Sequence, residues 1–265
     1  MHKLLLVLPI LFIAPIFFIA VACSNNNAAP NGAGGASPGS PSADAVSGSG
    51  NDMYYEYTIT SVAKGTRTTG YEKLYVSAGG DLRSEMDMSG PAVGRSAPIV
   101  SIGNKDKPYQ SISIDDTEKI YIVNTIDTSN APASNDMKIS STVTKLGEEK
   151  VLGFNSQHVR VISTRSLGPM VKFTDTVELW NSHDVPMAPF IRNYLEKSLS
   201  KAWTSMISPD AANQLTQMGF TGFMVKIQSG SGGPYGMLME LTKVQKGDFP
   251  KSMFEIPAGY KEEKQ

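Results

Sequence analysis

One cysteine in 265 residues excludes an internal disulfide and a cysteine-ligated metal site. Three histidines, His2, His158 and His183, are too few for a histidine-rich one. Charge is scarce in both signs: 24 basic and 25 acidic residues leave a net charge of −1. No basic stripe is present to neutralise a nucleic-acid backbone, and no polybasic cluster to hold anionic lipid. The run Gly230-Ser231-Gly232-Gly233 lacks a lysine and leads into no helix, which excludes a phosphate loop. Ser182, His183 and Asp184 are consecutive, and strand neighbours point to opposite faces, so they cannot form a triad among themselves. His183 is expected to end a strand and His158 to meet solvent or a polar partner. Asp115, Asp116 and Glu118 read as a hairpin turn, with weak calcium affinity as the alternative. With no carboxylate pair standing out either, the expectation is a protein that is not an enzyme and carries no metal or cofactor.

The one long hydrophobic run is residues 4–22, preceded by Lys3 and interrupted by Pro9 and Pro15. This is the pattern of a secretory signal. A membrane span is the alternative, since about 20 apolar residues cross a bilayer. The run ends in Ala20-Val21-Ala22-Cys23, which resembles the lipobox of bacterial lipoproteins, with Ala20 where Leu, Val or Ile is usual. That resemblance implies cleavage before Cys23 and a diacylglycerol on its sulfur, with palmitate-type chains holding the protein at a membrane; each buried methylene contributes about 0.8 kcal/mol. Ser24 in the next position, rather than Asp, implies sorting to the outer membrane with the domain facing the periplasm. Residues 24–51 are Asn, Ala, Gly, Ser and Pro but for Val46 and Asp44, the single charge. They read as a flexible linker of roughly 30 Å, with a low-complexity recognition segment as the rival. The expected organisation is a signal over 1–22, a lipidated cysteine and linker over 23–51, and one folded domain over 52–265.

The domain is written mostly in period two. Met53, Tyr55, Tyr57 and Ile59 alternate with Tyr54, Glu56, Thr58 and Thr60. Similar runs follow near 70–77, 81–88, 97–103, 109–114, 119–124, 137–146, 154–163, 172–181, 221–228 and 237–246, for about eleven strands. Short turn-forming links such as Ala78-Gly79-Gly80 imply antiparallel neighbours. Residues 127–136 form an insertion rich in Asn, Ser and Pro. The exception to period two is 189–207, where Phe190, Ile191, Tyr194, Leu195, Leu199, Ala202, Trp203, Met206 and Ile207 recur at three- and four-residue spacing. A shorter helix is expected over 210–218, with Asp210 in its N-cap region and Gly219 as its stop. The fold class is α+β: a curved antiparallel sheet, or half-barrel, with a helical plug or lid.

Gly147-Glu148-Glu149-Lys150-Val151-Leu152-Gly153-Phe154, the strand through His158 and Arg160, Val177-Glu178-Leu179-Trp180 closing on Asp184-Val185-Pro186, and the terminal Phe254-Glu255-Ile256-Pro257-Ala258-Gly259-Tyr260 follow one another in a familiar order. It resembles the family of bacterial secreted proteins and lipoproteins catalogued as domain of unknown function 4412. That family is similar to the LolA/LolB-like half-barrels, in which a curved sheet encloses an apolar cavity. The resemblance implies binding of acyl chains or lipidated proteins, and a tethered, LolB-like arrangement. The chain departs from the family in having less methionine, such as Met86 and Met88, in a first half that is often denser in it, and in the extra connection over 126–137.

Candidate pocket residues follow from the apolar faces: Leu199, Trp203 and Met206 from the helix, and Tyr57, Met86, Met88, Leu179, Met237 and Met239 from the strands. Flexible thioethers suit an adaptable pocket and equally suit irregular gaps in a core. Trp180 and Trp203 are the aromatic wall candidates, with plain core packing as the alternative for each. Gly219 and Gly222 are hinge candidates for a tilting lid. The expected function is a monomeric, membrane-tethered protein that binds a lipid or acyl chain between helix and sheet; the alternative is an envelope scaffold with a dry core. In Gram-negative cells fed labelled palmitate, the chain should incorporate label and its Cys23→Ser variant should not, as read on a denaturing gel; label retained by the variant would exclude Cys23 as the anchor.

Overall fold

The structure, a computed structural model, describes residues 46–89, 98–107, 110–125, 137–167, 171–187, 191, 207–230 and 235–264. In chain order the strands are β1 (Val46–Ser47), β2 (Asp52–Ala63), β3 (Thr66–Val76), β4 (Asp81–Ser89), β5 (Ile99–Asn104), β6 (Gln110–Asp115) and β7 (Ile120–Thr125). They continue as β8 (Met137–Val151), β9 (Phe154–Leu167), β10 (Val171–Ser182), β11 (Phe223–Ser229), β12 (Tyr235–Gly247) and β13 (Lys261–Glu262), and a helix, α1 (Pro209–Gln217), lies between β10 and β11 among the described residues. All belong to one open sheet of order β13-β7-β6-β5-β4-β3-β2-β12-β11-β10-β9-β8, and β1 lies beside β12.

Each of the eleven expected strands is present, and the described residues are mostly β, more so than the α+β reading implied. The two additional strands are two-residue pieces that pair in parallel, β1 with β12 and β13 with β7. β1 falls inside the stretch expected to be linker. Gly48 and Gly50, both at positive φ, follow it so closely that a Cβ would lie 2.2 Å from the Lys246 carbonyl oxygen and 2.3 Å from that of Gly247.

Register carries the period-two pattern across the middle of the sheet. Leu179, Ile227, Met239, Ile59, Gly70 and Met88 are successive cross-strand partners from β10 to β4, and the neighbouring row runs Leu241, Tyr57, Glu72, Met86. These residues share one face, termed the inner face because α1 packs there: Ala211 and Leu215 join the main hydrophobic cluster, and the Ser208 amide donates to the β8 hydroxyl of Ser141 at 3.0 Å. The register shifts at Trp180/Asn181, at Leu241/Lys243 and at Lys145/Gly147.

The centre of the inner face is aromatic. Tyr55 stacks on Phe223 at 4.5 Å and Tyr57 lies 6.3 Å from the same ring. Their hydroxyls donate to the carbonyls of Pro186 and Met224, each at 2.8 Å, so buried rings keep their polar ends satisfied. α1 is capped by Ser208, whose Oγ accepts from Ala211 N at 3.4 Å, and not by the expected Asp210. Pro209 occupies the first helical position, where its missing N–H costs nothing, which moves the cap one residue before it. The stop at Gly219 is as expected, with φ +66°: its amide donates to Thr216 O at 3.0 Å, and that of Phe220 to Leu215 O at 2.9 Å. Of the expected helix over 189–207, only Ile191, in a helical turn, and Ile207 lie within the described residues; both are buried in the main cluster. The insertion over 127–136 lies outside them.

A second cluster, Val100, Ile102 and Ile114 with Ile112, Tyr121 and Tyr260, occupies the outer face of β5–β7. The C-terminal segment is strapped across that face. Phe249 N donates to Asp52 Oδ2 at 2.7 Å and its ring meets Tyr75 edge-on at 5.3 Å; Arg83 Nη1 donates to Met253 O at 3.1 Å; a 3-10 turn at Lys251–Phe254 buries Phe254; and β13 closes on the edge of β7. Phe254→Ala is therefore expected to cost about 3 kcal/mol, read as a lowered urea midpoint at unchanged m-value.

Candidate functional site

The structure brings together six of the strand residues expected to line a pocket. Tyr57, Leu179, Met86, Met88, Met237 and Met239 all fall on the inner face and in one hydrophobic cluster. They divide by exposure. Tyr57, Leu179 and Met239 are 1%, 0% and 4% exposed and belong to the packed centre, whereas Met86, Met88 and Met237 are partly buried around it. Leu199, Trp203 and Met206 lie outside the described residues, as does Cys23.

Between the half-buried methionines the inner face is thinned by Gly70. A Cβ there would stand 2.7 Å from Met88 Sδ and 2.0 Å from the Asp87 carbonyl oxygen. The absent side chain lets the thioether lie across β3, and flexible sulfur chemistry there accommodates more than one shape. This part of the face is adaptable where the Tyr55–Tyr57–Phe223 stack is not.

Beside it lies a polar notch that the pocket expectation did not include. Glu72, directly opposite Met86 in the β3–β4 register, is 0% exposed. Its Oε1 accepts from Ser84 Oγ at 2.9 Å, while Oε2 is buried without a partner. Ser84 is paired with Ser101, and Ser101 with Ser113, along the same inner row. Ser113 is engaged by Asn124 Nδ2 at 2.9 Å, but Ser101 Oγ is buried and unpartnered. An unsatisfied buried polar group costs about 1–3 kcal/mol. Burial pushes the Glu72 carboxyl up to about 8, against the opposing pull of the Ser84 hydrogen bond, so the group is mainly the neutral acid at pH 7. The signal for Glu72 was in the sequence: it stands in phase with Leu74 and Val76 on a strand whose other phase carries Tyr71, Lys73 and Tyr75.

Trp180 is not a wall of the inner face. It pairs with His158 on β9 and Lys226 on β11, in the opposite phase to Leu179. Its ring stacks on the His158 imidazole at 3.9 Å, with Lys226 Nζ 4.5 Å from its centroid. Glu178 ties this outer ladder together, meeting His158 Nε2 at 3.0 Å and Arg160 Nη2 at 2.7 Å. Burial raises the Glu178 pKa, but these hydrogen bonds outweigh it and leave the carboxyl below its ordinary value. His158 thus has the polar partner expected of it.

Of the consecutive Ser182, His183 and Asp184, the first and last meet Asn155 and the histidine turns to Thr221. Ser182 Oγ donates to Asn155 O at 2.6 Å, His183 Nε2 meets Thr221 Oγ1 at 3.1 Å, and Asp184 accepts from Asn155 Nδ2 at 2.9 Å. Together they fasten the end of β10 to its neighbours. Gly222, a hinge candidate, is instead held against that strand end: a Cβ on it would lie 2.6 Å from Ser182 O. The acidic run after β6 is a turn, with Asp115 Oδ1 accepting from Thr117 N at 2.8 Å and Glu118 N at 3.0 Å. Among the described residues no group of metal-ligating side chains is assembled, and no helix is long and apolar enough to cross a membrane.

The notch has a consequence for stability. The folded state retains on Glu72 a proton that the unfolded chain releases near its ordinary pKa of 4.5, so stability falls as pH rises from there to about 8. A tenfold change in proton affinity is worth roughly 1.4 kcal/mol, giving a loss on the order of a few kcal/mol. Urea unfolding at about pH 5 and about pH 9 should show the Glu72→Gln variant losing less stability than the parent; equal losses would mean that Glu72 is already charged when folded.

No curated protein matches this chain significantly. Solved structures similar to it include PNGF-II, at 12% identity and a TM-score of 0.36, over 80% of this chain and 31% of that one. The chain therefore spans under a third of PNGF-II. The Mycobacterium tuberculosis lipoprotein LppX is similar at 10% identity and a TM-score of 0.34, over 74% of this chain and 88% of its own. The LolA superfamily protein NE2245 from Nitrosomonas europaea is similar at 8% identity and a TM-score of 0.29, over 79% and 92%. Residues 55–260 match the family described as Domain of unknown function (DUF4412), a span from Tyr55 on β2 to Tyr260 beside β13 that takes in the second hydrophobic cluster and all of the main one but Met53, and the chain belongs to that family.

Proposed function

We propose that this chain is a membrane-tethered protein of the bacterial envelope, not an enzyme, that shelters a lipid or acyl chain against the inner face of its sheet. The observation that carries the reading is the division of that face: a rigid aromatic centre, and beside it the half-buried Met86, Met88 and Met237 around the side-chain-free Gly70. Covering this region with an acyl chain stabilises the complex by about 25 cal/mol for each Å² of apolar surface removed from water. Thioethers re-form their contacts around chains of different length or unsaturation, which favours loose selectivity. The Cys23 anchor would place the domain at the outer membrane, on the periplasmic side, and the linker would set its reach.

A second reading is supported by the near-complete burial of Tyr57 and Leu179. In that reading the same face is a dry core, and the protein is an envelope scaffold whose outer surface meets a partner.

Native mass spectrometry of the protein purified from a bacterial envelope separates the two. The ligand reading expects a stoichiometric lipid, lost from a folded Met88→Lys variant whose charge enters the thinned region. A bare parent protein that also takes up no acyl chain when offered one would leave the scaffold.

A further inference from the structure

The polar notch is unexplained by an apolar ligand alone. Glu72 Oε2 and Ser101 Oγ are both buried, both unpartnered and both on the inner face, separated by Ser84, which bonds one and is paired with the other. We infer that these two atoms seat the polar end of the ligand, and that this end is an uncharged hydroxyl, as on a fatty alcohol or a monoacylglycerol. The inference rests on the apolar-ligand reading above and adds the class of its head.

Three features select the hydroxyl. It both donates and accepts, which is what a carboxyl oxygen and a serine hydroxyl on the two sides of β4 require. An anionic head would face Glu72 without a counter-charge: the inner-row neighbours of Glu72 are Tyr57 and Met86, while the adjacent cations Lys73 and Arg83 stand in the opposite phase of β3 and β4. A cationic head would have to bring its charge into apolar surroundings against a carboxyl that burial holds in the neutral form. The alkyl chain would then run from the notch across the adjacent Met86 and Met88, which supply its cover.

The test is isothermal titration of 1-decanol, decanoate and decane into the full chain carrying Cys23→Ser, so that no acyl anchor competes for the site. The parent should bind 1-decanol roughly tenfold or more tightly than either of the others. Glu72→Leu and Ser101→Ala should each bring 1-decanol towards parity with decane while leaving decane unchanged, and Glu72→Gln, which keeps a hydrogen-bonding group, should retain most of the preference. If Glu72→Leu does not fold, Ser101→Ala carries the comparison. Equal binding of all three ligands by the parent, or a preference that survives in the folded notch variants, overturns the inference and leaves the apolar-ligand reading standing. Failure of all three to bind overturns that reading and the inference with it.

Discussion

The structure depends on the pairing of β2 with β12. These are the first and last long strands of the chain, and they lie side by side in the middle of the sheet, not at its rim. On one side of this seam β3 to β7 run as neighbouring strands in chain order, with β13 added at the edge; on the other side β8 to β11 do the same. Neither run alone completes the inner face, because its aromatic centre is assembled across the seam: Tyr55 and Tyr57 come from β2, and Phe223 from β11 beyond β12. The bulge at Leu241/Lys243 keeps both strands in phase over the length of the seam. Such a pairing is non-local, so the chain must close a long loop before these contacts form, the condition associated with slow folding.

Around that seam the sheet is asymmetric in what it buries. β5 is covered on both faces: Val100 and Ile102 are buried under the C-terminal strap, and Ser101 between them points to the inner face and is buried too. A serine there, next to Ser84 and close to Glu72, is costly unless something hydrogen-bonds it. The strap makes the cost unavoidable, since it fixes the strand's phase from the other side. Polar residues at the inner notch are thus locked in place by apolar residues on the outer face, a coupling between two surfaces that never touch.

Much of this was legible in the sequence, and the failures have physical causes. Period two located the eleven longer strands because each has one face against a core. β1 and β13 gave no such signal: two residues cannot alternate meaningfully, and both are held by hydrogen bonds offered by strands already in place. The cap of α1 differs by two residues from the expected one because Ser208 and Asp210 are both good caps, and only the demand of Pro209 for the first helical position separates them. Leu179-Trp180 shows the limit of pattern reading: two large apolar neighbours on one strand must face opposite ways, and the sequence does not say which faces in. Glu72 was readable by phase, but a charged residue in an apolar phase is easily passed over as surface when its immediate neighbours are Tyr71 and Lys73.

β1 gives the domain a mechanical property. It is a parallel pair of residues laid on β12, so a pull on the chain upstream of Val46 reaches the central seam of the sheet through a ladder of two residues only. That short ladder is the weakest element in the line of force and yields first, adding slack before any load reaches the strands that enclose the core. A protein held to a surface by its N-terminus would in this way carry its own fuse, placed where its release leaves the fold intact.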